Sequence, residues 1–134
     1  MVENLHVMVI DDQHTMRSII RQLLEQQGIH NIAEAENGEQ AIKHFCTAGV
    51  TAPDVVLCDL HMDEMDGMEF VAHVRRGKAG IDSGTPVIIL TGEEDVFVLD
   101  VTQQVGATLV LKKPVTGGDL LREIETAIGF SLTS

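Results

Sequence analysis

The strongest constraint on this chain is an alternation that repeats five times. A short apolar run is followed each time by a segment with helical period. The runs are Leu5–Ile10, Asn31–Ala35, Val55–Cys58, Val87–Leu90 and Ala107–Leu111. All but the second are nearly continuous in Val, Ile and Leu, the pattern of strands covered on both faces, as in a parallel sheet. The segments that follow them are Thr15–Gln27, Gly38–Ala48, Gly67–Arg76, Glu93–Val105 and Thr116–Ile128. The first carries Met16, Ile19, Ile20, Leu23 and Leu24 on one helical face, and Gly28 supplies a stop. Asp66-Gly-Met-Glu69 and Thr116-Gly-Gly-Asp119 read as helix starts, each with a capping side chain three residues before a carboxylate. The fourth helical segment is richer in apolar residues than one buried face requires. Strands alternating with helices close into an α/β sandwich: a five-stranded parallel sheet with right-handed crossovers and helices on both faces.

Composition narrows the function. The 134 residues carry a net charge of −12, which argues against nucleic acid as a direct ligand, because phosphate backbones are bound through clustered Lys and Arg. With 44% hydrophobic residues the chain should still bury a core. No apolar run is long enough to span a membrane, and the N-terminus lacks a basic signal-peptide region. Cys46 and Cys58 read as buried free thiols, in keeping with a reducing cytoplasm.

In a parallel sheet chemistry gathers at the carboxyl ends of the strands. The first strand ends in Asp11-Asp12 and the third in Asp59. The fourth ends in Thr91-Gly92, followed by Glu93, and the fifth in Lys112-Lys113-Pro114. Carboxylates brought together raise one another's pKa or bind a cation, and an all-oxygen set favours a hard divalent ion, Mg²⁺ above others. A Lys ammonium and a Thr hydroxyl opposite them suit the oxygens of a phosphoryl group, and a central carboxylate can be the nucleophile that receives it.

Taken with their neighbours, these residues resemble a known family. Val9-Ile10-Asp11-Asp12, Asn37-Gly38, Pro53-Asp54 through Asp59, Met62 with Asp66-Gly67, Thr91-Gly92, Gly106-Ala107 and Lys113-Pro114 are similar to the response-regulator receiver domain, the phosphoacceptor module of two-component signalling. The likeness covers about residues 5–128, so residues 1–134 are expected to form a single receiver domain with no output domain. It implies a flavodoxin-like (βα)₅ three-layer sandwich with strand order 2-1-3-4-5. By resemblance, Asp59 is the phosphorylated residue. Asp12 is the direct Mg²⁺ ligand, Asp11 acts largely through water, and the backbone carbonyl of His61 is a further ligand. Thr91 is the switch hydroxyl, and Lys113, through a cis bond to Pro114, contacts the phosphoryl group. His61 and Glu93 occupy positions that tune the lifetime of the phosphoryl bond. The implied partners are a sensor histidine kinase or phosphotransfer protein and an effector. The effector would be met through the fourth helix, fifth strand and fifth helix, with a second copy of the chain as a further candidate.

The sequence departs from the family at two places. Val110 stands where receivers often carry an aromatic coupled to the switch hydroxyl, and Asp63 stands where Pro is usual, so a looser, more acidic Leu60–Asp66 loop is expected. A rival reading is a phosphorylation-independent interaction module, a degenerate receiver. A second is an Asp-nucleophile, Mg²⁺-dependent phosphatase, against which the chain lacks the Asp-x-Asp spacing. No pair among His6, His14, His30, His44, His61 and His73 has a metal-ligand spacing on one helix. Lys112 reads as a solvated neighbour, and Cys58 as inert packing.

Overall fold

The computed structural model describes residues 4–129, 131 and 132. Its elements run β1 (His6–Ile10), α1 (His14–Gln26), β2 (Asn31–Ala35), α2 (Gly38–Phe45), β3 (Val55–Asp59), α3 (Gly67–Arg75), β4 (Val87–Thr91), α4 (Val96–Val105), β5 (Leu109–Lys112) and α5 (Gly117–Ile128). All strand pairs are parallel, and the order is β2-β1-β3-β4-β5. The parallel pairing agrees with the sequence periodicity, and the strand order with what the resemblance implied.

Strand alternation sorts the core into two layers. Val7 and Val9 of β1, Val55 and Leu57 of β3, and Ile88 and Leu90 of β4 meet Ile20 and Leu24 of α1 and Leu120 and Ile124 of α5. The intervening Met8, Ile10, Val56, Cys58, Val87 and Ile89 meet Ala41 of α2 and Phe70, Val71 and Val74 of α3. A strand buried on both faces has no polar side to show, and this is why the runs are continuous.

The helix ends follow the chemistry read from the sequence, with larger shifts at α4, at α2 and at the start of strand β5. Thr116 and Asp119 form a reciprocal capping box, Asp66 accepts from the Glu69 amide, and Gly28 turns the chain at φ 87°. α4 starts at Val96 rather than Glu93, because Asp95 is the cap and accepts from the Phe97 amide at 2.9 Å. α2 stops at Phe45, before the expected Ala48. Cys46 takes the C-cap position there, and its side chain is exposed, which corrects its reading as a buried thiol. β5 begins at Leu109, two residues late, since the Ala107 amide still bonds back to Thr102 of α4. No helix among the described residues is long and apolar enough to cross a membrane.

Candidate functional site

Parallel register brings the strand ends to one edge. Ile10 pairs with Cys58, Asp59 with Leu90, and Thr91 with Lys112. Asp11 follows β1, where its amide still extends the ladder to Ala35. Beyond β5, the Lys113 amide donates to the Thr91 carbonyl at 2.9 Å, and the Lys113–Pro114 bond is cis, as the resemblance implied.

Carboxylate oxygens of Asp11, Asp12 and Asp59 lie within 4.8 Å of one another. Asp11 is buried, Asp59 partly buried and Asp12 exposed. The Lys113 ammonium sits 3.3 Å from Asp11 Oδ2 and 3.3 Å from Asp59 Oδ1. Asp59 Oδ1 also accepts from the Leu60 amide at 3.0 Å. Burial pushes the Asp59 carboxyl above its ordinary value; Lys113 pulls it down, Asp11 pushes it up, and the balance remains upward. Three converging carboxylates facing one ammonium leave an excess of negative charge, and a hard divalent cation fits that donor set.

A concavity beside this cluster is lined by Asp12, Gln13, Asp59, His61, Thr91, Gly92, Glu93 and Glu94. Thr91 is fully buried, and its hydroxyl accepts from the Glu93 amide at 2.9 Å. His61 Nε2 lies 2.9 Å from Glu93 Oε1, so the connections after β3 and β4 are bridged across the mouth. The backbone approaches closely behind Asp59. A Cβ at Gly67 would fall 2.5 Å from the Asp59 carbonyl oxygen, and the Gly67 amide donates to Leu60 at 2.9 Å. The Leu60–Asp66 loop is thereby pinned at one end, and the Gly38 amide holds the Met65 carbonyl at 3.2 Å. Glu64 of that loop adopts φ 63°, unusual for a residue other than glycine. Lys112 is exposed, and Cys58 is fully buried with its thiol pushed well up by burial and by the neighbouring Asp59, Asp11 and Asp66.

Arg17 was not singled out from the sequence. Its Nη1 donates to the Asp11 carbonyl at 2.6 Å and its Nε to Glu34 Oε1 at 3.1 Å, while Arg21 takes Glu34 Oε2 at 2.7 Å. The available signal was Arg17 three residues before Ile20 and seven before Leu24, on the buried stripe of α1. Asp11 Oδ1 meanwhile accepts from the Gln13 amide at 2.9 Å, the turn that leads into α1.

Comparison with known proteins accords with this geometry. Residues 7–125 match the family described as the response regulator receiver domain. The chain is 32% identical over 127 residues to a probable chemotaxis protein CheY of Rhizobium etli, covering 95% of each. It is 33% identical over 120 residues to a protein-glutamate methylesterase/protein-glutamine glutaminase of Halobacterium salinarum, where it spans 87% of this chain but only 31% of that protein. Among solved structures, a receiver domain protein from Clostridium thermocellum superposes with a TM-score of 0.80 at 31% identity, covering 93% of this chain and 94% of that one. The receiver domain of the Francisella response regulator 1452 gives 0.80 at 25% identity, over 94% and 98%.

Proposed function

Because this chain belongs to the response-regulator receiver family, we propose that it is a phosphorylation-driven switch whose phosphoacceptor is Asp59. The observation that carries the reading is the single ammonium of Lys113, set 3.3 Å from both Asp59 and Asp11 inside a three-carboxylate cluster. The donor is the phosphohistidine of a sensor kinase or phosphotransfer protein. A carboxylate oxygen of Asp59 forms the new O–P bond as the N–P bond breaks, and the imidazole leaves with its electron pair and takes a proton. Lys113 offsets charge on the phosphoryl oxygens and Thr91 offers a hydroxyl to one of them. Asp11, Asp12, Asp59 and the His61 carbonyl are the groups that would hold Mg²⁺. Bound there, the ion supplies neutralisation of the charge that gathers on the transferring group.

His61 and Glu93, at the mouth, set how water reaches the acyl phosphate. The chain turns over no external substrate beyond its own phosphoryl transfer and hydrolysis, so its output is altered binding to an effector or to a second copy. The surface offered is α4, β5 and α5, in a cytoplasmic setting, with residues 1–134 acting as one receiver unit. The phosphoryl group puts roughly two negative charges where the Asp59 carboxylate carried one, a net gain of about one, adds acceptor oxygens and biases a two-state element toward the binding conformation.

Intact mass after incubation with acetyl phosphate and Mg²⁺ tests the reading. One phosphoryl group is expected on the native chain and none on Asp59→Asn. Equal masses would refute it, and so would steady turnover of a phosphomonoester, the mark of a phosphatase. Millimolar Mg²⁺ should also raise the thermal midpoint of the native chain, since a ligand bound only by the folded state stabilises it. No shift would favour the phosphorylation-independent module.

A further inference from the structure

Arg17 lies next to the carboxylate cluster but outside the concavity, and it is only 9% exposed. An arginine is seldom buried this far unless its donors are matched. Nη1 donates to the Asp11 carbonyl at 2.6 Å, Nε donates to Glu34 Oε1 at 3.1 Å, and Nη2 lies 3.5 Å from His14 Nδ1. Arg21 takes the other Glu34 oxygen at 2.7 Å and donates to the Ile32 carbonyl at 3.0 Å. The planar fork of Arg17 can hold two directions at once, which a lysine ammonium on a flexible stem does less well. It thereby ties together the residue after β1, the first turn of α1 and the side chain of Glu34 on β2.

The other polar groups of Asp11 are held as well. Its amide donates to the Ala35 carbonyl at 3.1 Å. Its Oδ1 accepts from the Gln13 amide at 2.9 Å, and its Oδ2 faces the Lys113 ammonium at 3.3 Å. The carbonyl is the remaining group, and Arg17 takes it. That carbonyl shares a planar peptide unit with the Asp12 amide, so fixing its oxygen fixes the plane from which Asp12 departs. Asp12 is exposed, and its carboxylate is aimed by this backbone more than by packing. Even so, an Asp12 oxygen lies within 4.8 Å of oxygens of Asp11 and Asp59. Mg²⁺ demands near-ideal ligand geometry, so a tilt of the peptide between Asp11 and Asp12 would spoil the donor set.

We propose that Arg17 is a positioning residue for the cation site: its guanidinium clamps the peptide between Asp11 and Asp12 and so holds both acids where a divalent cation needs them. The inference rests on the reading above, in which Asp11, Asp12 and Asp59 hold Mg²⁺. It adds a group that touches neither the ion nor the phosphoryl oxygens. The two arginines of α1 then have separate duties. Arg21 shares Glu34 but reaches back to Ile32, near the start of β2, and supports the fold. Arg17 reaches forward to Asp11 and sets the geometry of the site. Without its bond, the peptide is free to turn, and cation affinity falls by more than the loss of an ion pair on α1 explains.

Amide NMR of the full chain, titrated with magnesium chloride, tests this, with urea unfolding run on the same variants. In the native chain the amides of Asp12 and Asp59 should shift to saturation. Arg17→Met keeps a buried stem but no donor. Its Kd for Mg²⁺ should rise about tenfold, the usual scale for losing a group that orients a metal ligand. Arg21→Met is the matched control. It takes a cation from the same network and should lower stability, yet its Kd should stay within about twofold of the native value. Labelling of Arg17→Met by acetyl phosphate should be slow at low Mg²⁺ and recover as Mg²⁺ is raised, a rescue that a purely structural defect would not show. If Arg17→Met does not fold, Arg17→Met/Glu34→Gln, which also removes the carboxylate left behind, takes its place. The proposal is overturned if the Arg17 variant binds Mg²⁺ as the native chain does, if Arg21→Met weakens binding as much, or if labelling stays slow at saturating Mg²⁺. Absence of Mg²⁺-dependent shifts in the native chain would instead sink the cation set of the reading above, and the clamp with it.

Discussion

α3 and α4 pack on the same face of the sheet, yet they are held in different ways. α3 buries Gly67, Phe70, Val71 and Val74. α4 buries Thr102 alone, among the described residues, although its sequence is the more apolar of the two. Spacing accounts for the contrast. Phe70, Val71 and Val74 fall at i, i+1 and i+4 and share one stripe. Val96, Phe97, Val98, Leu99 and Val101 go round the whole helix, so only part of the set can face inward. Val98 and Val105 reach the core edge, while Val96 and Phe97 point to solvent. α4 is secured mainly at its ends, by Glu93 and Asp95 before it and by Arg75, whose Nε donates to the Gly106 carbonyl at 2.9 Å. A helix held at its ends gives up little buried surface when it shifts, and the elements that move in signalling are drawn from this less stable class.

The largest expected effect tests the packed half of the contrast. Phe70→Ala removes a fully buried ring that touches Phe45 across the α2–α3 contact. It should cost about 3–5 kcal/mol in urea unfolding, through lost burial and the cavity left behind. A loss below about 1 kcal/mol would mean that α3 is no better anchored than α4. Next comes Arg75→Met, which keeps an apolar stem but removes donors to the carbonyls of Gly106, Ser83 and Thr85 and to the Thr108 hydroxyl. The expected cost is about 1–3 kcal/mol. Hydrogen exchange should quicken at the carboxyl end of α4 more than within α3. Uniform quickening would show that Arg75 supports the whole domain and is no anchor of α4 in particular.

The sequence carried the α3 side of this contrast more fully than the α4 side. Continuous Val/Ile/Leu runs exposed the five strands because burial on both faces leaves no alternation to misread. The site was legible for the same reason: strand ends in a parallel sheet share an edge, so Asp11, Asp12, Asp59, Thr91 and Lys113 could be grouped before any distance was known. Three features lay beyond that logic. α4 could be seen to carry surplus apolar residues, but which of them face solvent depends on the phase set by Asp95 as its cap. The role of Arg17 depends on a contact between α1 and β2 that no local pattern encodes. The His61–Glu93 bridge joins residues 32 apart, and only the folded loops bring them together.

α1 offers a third mode of attachment, by charge, and acid should loosen it selectively. Burial raises the Glu34 carboxyl, but Arg21 and Arg17 lower it further, so its folded pKa falls below the ordinary value of 4.5. An acid with a depressed folded pKa stabilises the fold above its unfolded pKa, and that contribution is lost as pH falls through the folded value. Glu34→Gln should therefore be less stable than the native chain by about 1 kcal/mol near neutrality, the pair being only partly screened from water. The gap should close under acid, below the ordinary carboxylate range. Urea unfolding of both chains at neutral and acid pH checks this, and a gap that persists in acid would assign the loss to shape rather than charge. Phe70→Ala is the control, because its deficit relative to the native chain should not depend on pH.

The smallest expected effect decides whether α4 is a surface or a core element. The double variant Val96→Ser/Phe97→Ser deletes the two most exposed large apolar side chains among the described residues. Side chains already in water lose little burial when truncated, so stability should change by no more than about 0.5 kcal/mol. The site should be untouched as well, since neither residue lines the concavity or contacts the carboxylate cluster, and loading of Asp59 by beryllofluoride should match the native chain. If the variant instead unfolds as early as Phe70→Ala, the exposed tip is part of the packing and α4 is as firmly built as α3. If stability and loading both hold, the apolar turn serves neither the fold nor the chemistry.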